Sequence, residues 1–377
     1  MDYSTIFPDE APCFCGSNSS YKLCHKLKRY SHGNELLYEQ SQFILNTGSC
    51  AHYDGIKFCG NPTVKSHSIQ RKRALSAIAE NGKVLGFNSS PNGGKTNLNE
   101  ELQFSLIGNR QASTFPGFCS AHDIALFKDI EIKPLNANYQ TAFKTAYRSQ
   151  CYETIIHSNA ALFLSWAHDV PTFDFYFNKA INEPEISNMR WYAGYGWRLK
   201  ELFEKIKRRA STRKFLYFCC LFDTQLPFCG TGSFCIETDF SGNKLQHFSN
   251  VSENFNYAQV SVLPQENGTT FFSVSAINDK NKKAAHRFIA SLSNVPKHEL
   301  ASCALRSLIV HSENVYFKPS FINGLPYKHR QEILDRFDDR EVQQVGLEKI
   351  ETALSDPLSF DLLSNAIKIS TNITKVH

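Results

Sequence analysis

Residues 50–67 read Cys50-Ala-His52-Tyr-Asp-Gly-Ile-Lys-Phe-Cys59-Gly-Asn-Pro-Thr-Val-Lys-Ser-His67, and residues 118–127 read Phe118-Cys119-Ser-Ala-His122-Asp123-Ile-Ala-Leu-Phe127. These two stretches decide the fold of the N-terminal third. Cys59-Gly60-Asn61-Pro62 places a thiol directly before residues that turn tightly. Cys119 and His122 stand three apart, ahead of an apolar-periodic run, so both fall on the first turn of a predicted helix. Asp123 favours that helix start through the macrodipole. Thiolates and imidazoles brought together in this way form a tetrahedral zinc site. The expected ligands are Cys50, Cys59, Cys119 and His122, with His52 or His67 able to replace one of them.

A knuckle followed by a ligand pair at a helix start resembles the treble-clef zinc finger. Through that plan it resembles the HNH nucleases. This resemblance implies a general base at His67, near the end of a predicted strand around Val64–Ile69. It also implies a divalent ion, Mg or Mn, held by Asp123 beside a scissile phosphate, and an orienting amide at Asn109 or Asn97. The implied partner is nucleic acid, and proteins of this type often serve bacterial defence. The chain departs from the family pattern in four ways. Ser66 precedes the His, His122 replaces a Cys, a long segment separates His67 from Cys119, and no Asn sits at the expected short distance before Cys119. The bland alternatives are a packed or zinc-ligating His67 and a helix-capping Asp123.

Working outward toward the N-terminus, residues 12–25 read Pro-Cys13-Phe-Cys15-Gly16-Ser17-Asn-Ser-Ser-Tyr21-Lys22-Leu-Cys24-His25. Two thiols one residue apart grip a single ion from a tight turn, and a Cys-His pair returns after a short loop. Such a segment is too short to fold by apolar burial, so a metal would supply its folding energy. These residues resemble the SEC-C motif. The resemblance implies a second structural zinc on Cys13, Cys15, Cys24 and His25, and a protein or ribosome partner docked on the knuckle.

Of the 12 Cys, those outside these sets are isolated or lie in apolar, strand-like sequence. In a reducing compartment, closely spaced Cys read as metal ligands rather than disulfides. The opening Met1-Asp2-Tyr3-Ser4 lacks a basic segment followed by an apolar run, and no uncharged apolar stretch is long enough for a membrane helix. A cytoplasmic location without membrane contact is therefore expected. Hydrophobic residues make up 42% and aromatics 13%, with 30 Phe, which supports sizeable cores and excludes global disorder. A net charge of +5 permits nucleic-acid contact without requiring it. The cations are clustered: Arg71, Lys72 and Arg73 adjoin His67, and Lys207, Arg208 and Arg209 end a predicted helix over 189–214. Either cluster is a phosphate-binding surface or a solvated face. Gly93-Gly94-Lys95-Thr96 lacks the earlier glycine of a phosphate loop and reads as a hairpin or surface loop.

The rest of the chain predicts one or two amphipathic helices over 138–169 and a buried strand at 215–222. Further strands are expected at 233–240, 257–263 and 270–277, and helices at about 281–293 and 297–311. Adjacent Cys219 and Cys220 must face opposite sides of their strand. The expected class is α+β: an N-terminal zinc knuckle (1–30), a treble-clef-like zinc module (31–135), a helical middle with a basic end (136–214), and an antiparallel sheet with helices (215–377). The function expected is that of a zinc-binding, HNH-like metal-dependent nuclease. The alternative is a non-catalytic adaptor stapled by zinc.

Overall fold

A computed structural model describes residues 19–24, 33–90, 93, 100–169, 183–209, 212–246, 255–278, 283–343 and 354–373. Two helices, α1 (Tyr21–Cys24) and α2 (Gly33–Asn46), precede a hairpin-like segment at 49–62. Then come β1 (Ser66–His67), a π-helical turn (Arg71–Leu75), α3 (Ser76–Ile78), β2 (Lys83–Phe87), β3 (Phe104–Gly108), β4 (Thr114–Phe115) and α4 (Ser120–Ile132). Long helices α5 (Tyr139–Asp169) and α6 (Glu183–Arg209) lead to β5 (Phe215–Phe222), β6 (Phe228–Cys235), β7 (Tyr257–Pro264) and β8 (Thr270–Ile277). The chain closes with α7 (Lys283–Leu292), α8 (Leu300–His311), β9 (Val315–Phe317), α9 (Pro319–Gly324), α10 (Tyr327–Gln343) and β10 (Ala366–Thr371).

The class is α+β, and antiparallel pairing runs throughout. Eight strands form one sheet in the order β10-β5-β8-β7-β6-β9-β2-β3, while β1 and β4 pair by themselves. Strands β5 and β8 are buried along their whole length, so helices must cover both faces of the sheet. Phe215, Tyr217, Cys219 and Leu221 point into a core shared with α5 and the Cys/His region. Their neighbours Leu216, Phe218, Cys220 and Phe222 point into a second core beneath α7 and α8, as the period of two requires. Cys219 and Cys220 thus face opposite sides, as expected from their adjacency.

Several features differ from the sequence reading. Residues 139–169 form one helix, within the one or two expected, but over 141–152 it is buried almost all round rather than amphipathic, because it lies between the Cys/His region and the sheet. Strand β6 begins at Phe228 rather than 233. Its Cys229-Gly230-Thr231-Gly232 looks turn-like, but the glycines let the strand approach α8. A Cβ on Gly230 would stand 2.8 Å from Leu308, and one on Gly232 2.8 Å from Ser312. The sheet also draws in strands from outside 215–277. β10 pairs with β5 at one edge, and β2 and β3 extend the other edge through β9. Asn81 and Gly82, both left-handed (φ 52° and 73°), make the tight turn leading into β2, with Glu80 and Lys83 exchanging backbone hydrogen bonds. Within the loop between β2 and β3, residues 94–99, including Lys95, Thr96 and Asn97, lie outside the described residues.

Candidate metal centre

The segment 49–62 folds back on itself through isolated pairings of Ser49 with Pro62 and Tyr53 with Phe58. Asp54 closes its tip by accepting the N–H groups of Ile56 and Lys57. Cys50 donates its N–H to Asn61, Cys59 donates to His52, and Gly60 donates back to Cys50. Gly60 has φ 69°, a conformation that costs glycine little. The two thiols are thereby held across the hairpin. Ala51 donates to Gly117 and Val64 to Phe118, which fastens the hairpin to the residues just before Cys119. Cys119 then caps α4 in an extended conformation, and His122 stands on the first helical turn.

Cys50, Cys59, Cys119 and His122 present ligand atoms that all lie within 4.8 Å of one another. His122 Nδ1 is 3.4 Å from Cys50 Sγ and 3.4 Å from Cys119 Sγ. A tetrahedron with metal–sulfur bonds of ~2.3 Å and a metal–nitrogen bond of ~2.0 Å has S···N edges of about 3.5 Å. The donor set and its spacing therefore fit one zinc ion. The surroundings prepare the thiols unequally. Burial pushes the Cys50 thiol up to about 11, while the backbone N–H of His122 at the start of α4 holds Cys119 below its ordinary value. A bound dication would overcome the burial cost at Cys50.

Neither of the histidines held in reserve as ligands joins this set. His52 stacks on the His122 ring with centroids 3.9 Å apart. His67 ends β1, opposite Thr114, and its Nδ1 lies 2.9 Å from the Ala112 carbonyl. Burial, reinforced by the nearby charges of Arg148 and Arg71, pulls His67 down to about 4. A carbonyl only accepts, so Nδ1 carries the proton and Nε2 keeps a free lone pair at neutral pH.

Asp123 lies in the first turn of α4, and its Oδ1 is buried without a hydrogen-bond partner. The nearest cation is Arg148 on α5, whose Nη2 is 4.0 Å away. Arg148 is 3% exposed, pairs with Glu131 and lies 4.7 Å over the Phe127 ring. The same guanidinium bears on both His67 and Asp123. Asn109 lies elsewhere, on a cleft that also takes in Arg71 and Lys72. Arg73 turns away from that cleft and donates to the Ile132 carbonyl at the end of α4. Lys207, Arg208 and Arg209 end α6, where Arg208 sits 5.7 Å over the Tyr53 ring of the hairpin. Of the first Cys/His set, Cys24 falls in α1, whereas Cys13, Cys15 and His25 lie outside the described residues.

Two residues outside the candidate site sets have structural roles here. Lys200, 1% exposed, donates to the Ala51 carbonyl at 2.6 Å and to Glu204 at 2.6 Å, so α6 grips the hairpin beside Cys50. Arg148 is the other. No sequence signal singles it out, because Lys144 one turn earlier carries the same charge and reaches Asp129 near the surface instead.

No protein-family model, curated protein or solved structure matches the chain. The likenesses to SEC-C, treble-clef and HNH sequences therefore rest on the residues quoted above. Among the described residues, no helix is long and apolar enough to cross a membrane.

Proposed function

We propose that the protein is a zinc-scaffolded, HNH-like metal-dependent nuclease. One observation carries the reading: the Cys50, Cys59, Cys119 and His122 set is complete without His67, which is held separately by the Ala112 carbonyl. The short β1–β4 pair followed by α4, with ligands on the hairpin and at the helix start, supports the treble-clef plan. On that plan His67 Nε2 takes a proton from water as that water attacks a phosphodiester. Arg148 steadies the Asp123 carboxylate, whose unpartnered Oδ1 suits a hard cation. Bound Mg²⁺ or Mn²⁺ would supply charge neutralisation at the phosphate.

The test combines zinc content with cleavage of plasmid DNA and of a structured RNA, in added Mg²⁺ or Mn²⁺, for wild type and His67→Ala. The expected result is unchanged zinc and cleavage by wild type alone. The wild-type rate should fall on the acid side only as pH drops toward about 4, because the base must be unprotonated and burial holds it so. Loss of zinc in His67→Ala, or equal cleavage by both proteins, overturns the reading.

A second reading, the zinc-stapled adaptor, draws support from the hairpin tip. There Ile56 is 89% and Phe58 54% exposed, an apolar display typical of a partner contact. It gains if wild type has zinc but cleaves neither substrate.

A further inference from the structure

Between the π turn and the turn that follows β3 lies an open cleft of about 660 Å³, lined by Arg71, Lys72, Ser76, Asn109, Arg110 and Gln111, with Gly82 and Gly108 in its wall. Its composition is one-sided. It holds three cations, two side-chain amides, one hydroxyl and no carboxylate. Among the described residues, no Asp or Glu pairs with Arg71, Lys72 or Arg110. Three unpaired cations around one concavity repel each other and concentrate an attractive field for anions.

The scaffold is built to hold this geometry. The π turn is an unusual backbone, and such turns recur at functional sites. It is pinned on its far side, where Arg73 and Gln70 donate to the carbonyls of Ile132 and Ile130, so that Arg71 and Lys72 face the cleft. Ser76 closes it by donating to the Arg71 carbonyl. Across the cleft, Asn109 donates its N–H to Gly82, and Gln111 and Ala112 both donate to Gly108, which sets the Asn109–Gln111 turn. Ala112, the next residue, holds His67, and the Arg71 charge is felt at His67.

We propose that this cleft seats the phosphodiester backbone of a nucleic acid and reads charge rather than base identity. The amides and guanidinium groups suit phosphate oxygens. No aromatic side chain lines the cleft, so it has no platform on which a base could stack. The proposal rests on the nuclease reading, to which it adds the surface that holds the substrate's backbone, but binding is measurable without catalysis.

The experiment is fluorescence anisotropy of zinc-loaded protein with a labelled mixed-sequence DNA duplex, its single strand and an RNA hairpin, over a salt series without Mg²⁺. Lys72→Glu and Arg110→Glu change exposed side chains of the cleft. Lys297→Glu, between α7 and α8, makes the same change of charge outside it. Three phosphate contacts predict a slope of log affinity against log salt of about −2.7 for duplex, reduced by about one when one contact is lost. The expected result is that reduction in both cleft variants, wild-type behaviour in Lys297→Glu, and no dependence on base composition.

Wild-type affinity and slope in the cleft variants, or an equal loss in Lys297→Glu, overturns the proposal. About tenfold tighter binding to one base composition overturns the claim of charge-only reading. Zinc content and thermal midpoint, unchanged in all variants, exclude unfolding as the cause. Cleavage separates the two readings. A wild type that binds through the cleft yet cuts nothing removes the nuclease and keeps the cleft. A wild type that cuts, with cleft variants cutting equally well, does the reverse.

Discussion

The hairpin at 49–62 and strand β8 are held by different forces. Strand β8 places Phe271 in one core and Phe272 in the other, and it pairs along its whole length with β5 and β7. Apolar burial on two faces stabilises it without any ion. The hairpin has only scattered backbone hydrogen bonds and a largely exposed tip, and of its residues only Cys50 and Ala51 are buried hydrophobics. Beyond these it is tied by Lys200 and Arg208 of α6 and by the Cys50, Cys59, Cys119 and His122 donor set. The difference teaches that the chain gathers a donor set able to hold a metal where a segment is too short for a core, and relies on side-chain packing where it is not.

The largest expected effect tests the metal side. Cys119→Ser should lower zinc by one equivalent and abolish hydrogen-exchange protection over 49–62, while β7 and β8 amides stay protected. Structural zinc contributes up to roughly 10–16 kcal/mol in isolated finger peptides, so the loss should be complete. If 49–62 keeps its protection without metal, the comparison breaks. A smaller effect tests the apolar side. Phe272→Ala removes a fully buried ring and should cost about 3–5 kcal/mol in urea unfolding, with zinc content unchanged. Zinc lost in step with that destabilisation would mean that the two regions unfold as one unit.

The smallest effect sharpens the boundary between the regions. Ser113 is left-handed (φ 63°) and gives its N–H to the Tyr316 hydroxyl on β9, next to the carbonyl that holds His67. Tyr316→Phe leaves that buried N–H unpaired, at a cost of about 1–3 kcal/mol. It should also move the His67 titration, read by NMR of the ring protons, because the Ala112 carbonyl is then less firmly held. An unmoved titration would show that the sheet supports the fold of this loop without positioning the imidazole.

Much of this was legible in local pattern. The strand 215–222, the opposed faces of Cys219 and Cys220, and the helix start at Cys119 follow from periods and capping rules that act over a few residues. The ligand quartet was legible because thiols and imidazoles at such spacings have few other uses. Other features were harder to read. Asn81-Gly82 is a strong hairpin signal, yet the strand it opens lies far in sequence from its partner at Phe317. Gly230 and Gly232 look like turn residues until α8 is known to press on them. Arg110 and Gln111 carry no motif at all.

By itself the sequence determined the local elements and the donor set, because ligand chemistry, side-chain period and turn preference are properties of neighbouring residues. Tertiary structure alone decided which cations remain unpaired. Arg73 is drawn to the end of α4, Arg148 is buried between two carboxylates, and Arg208 lies over Tyr53, whereas Arg71, Lys72 and Arg110 converge on one cleft. The reason is physical. A guanidinium seeks whatever acceptor or ring the fold brings within a few ångströms, and that distance is set by packing between segments far apart in the chain.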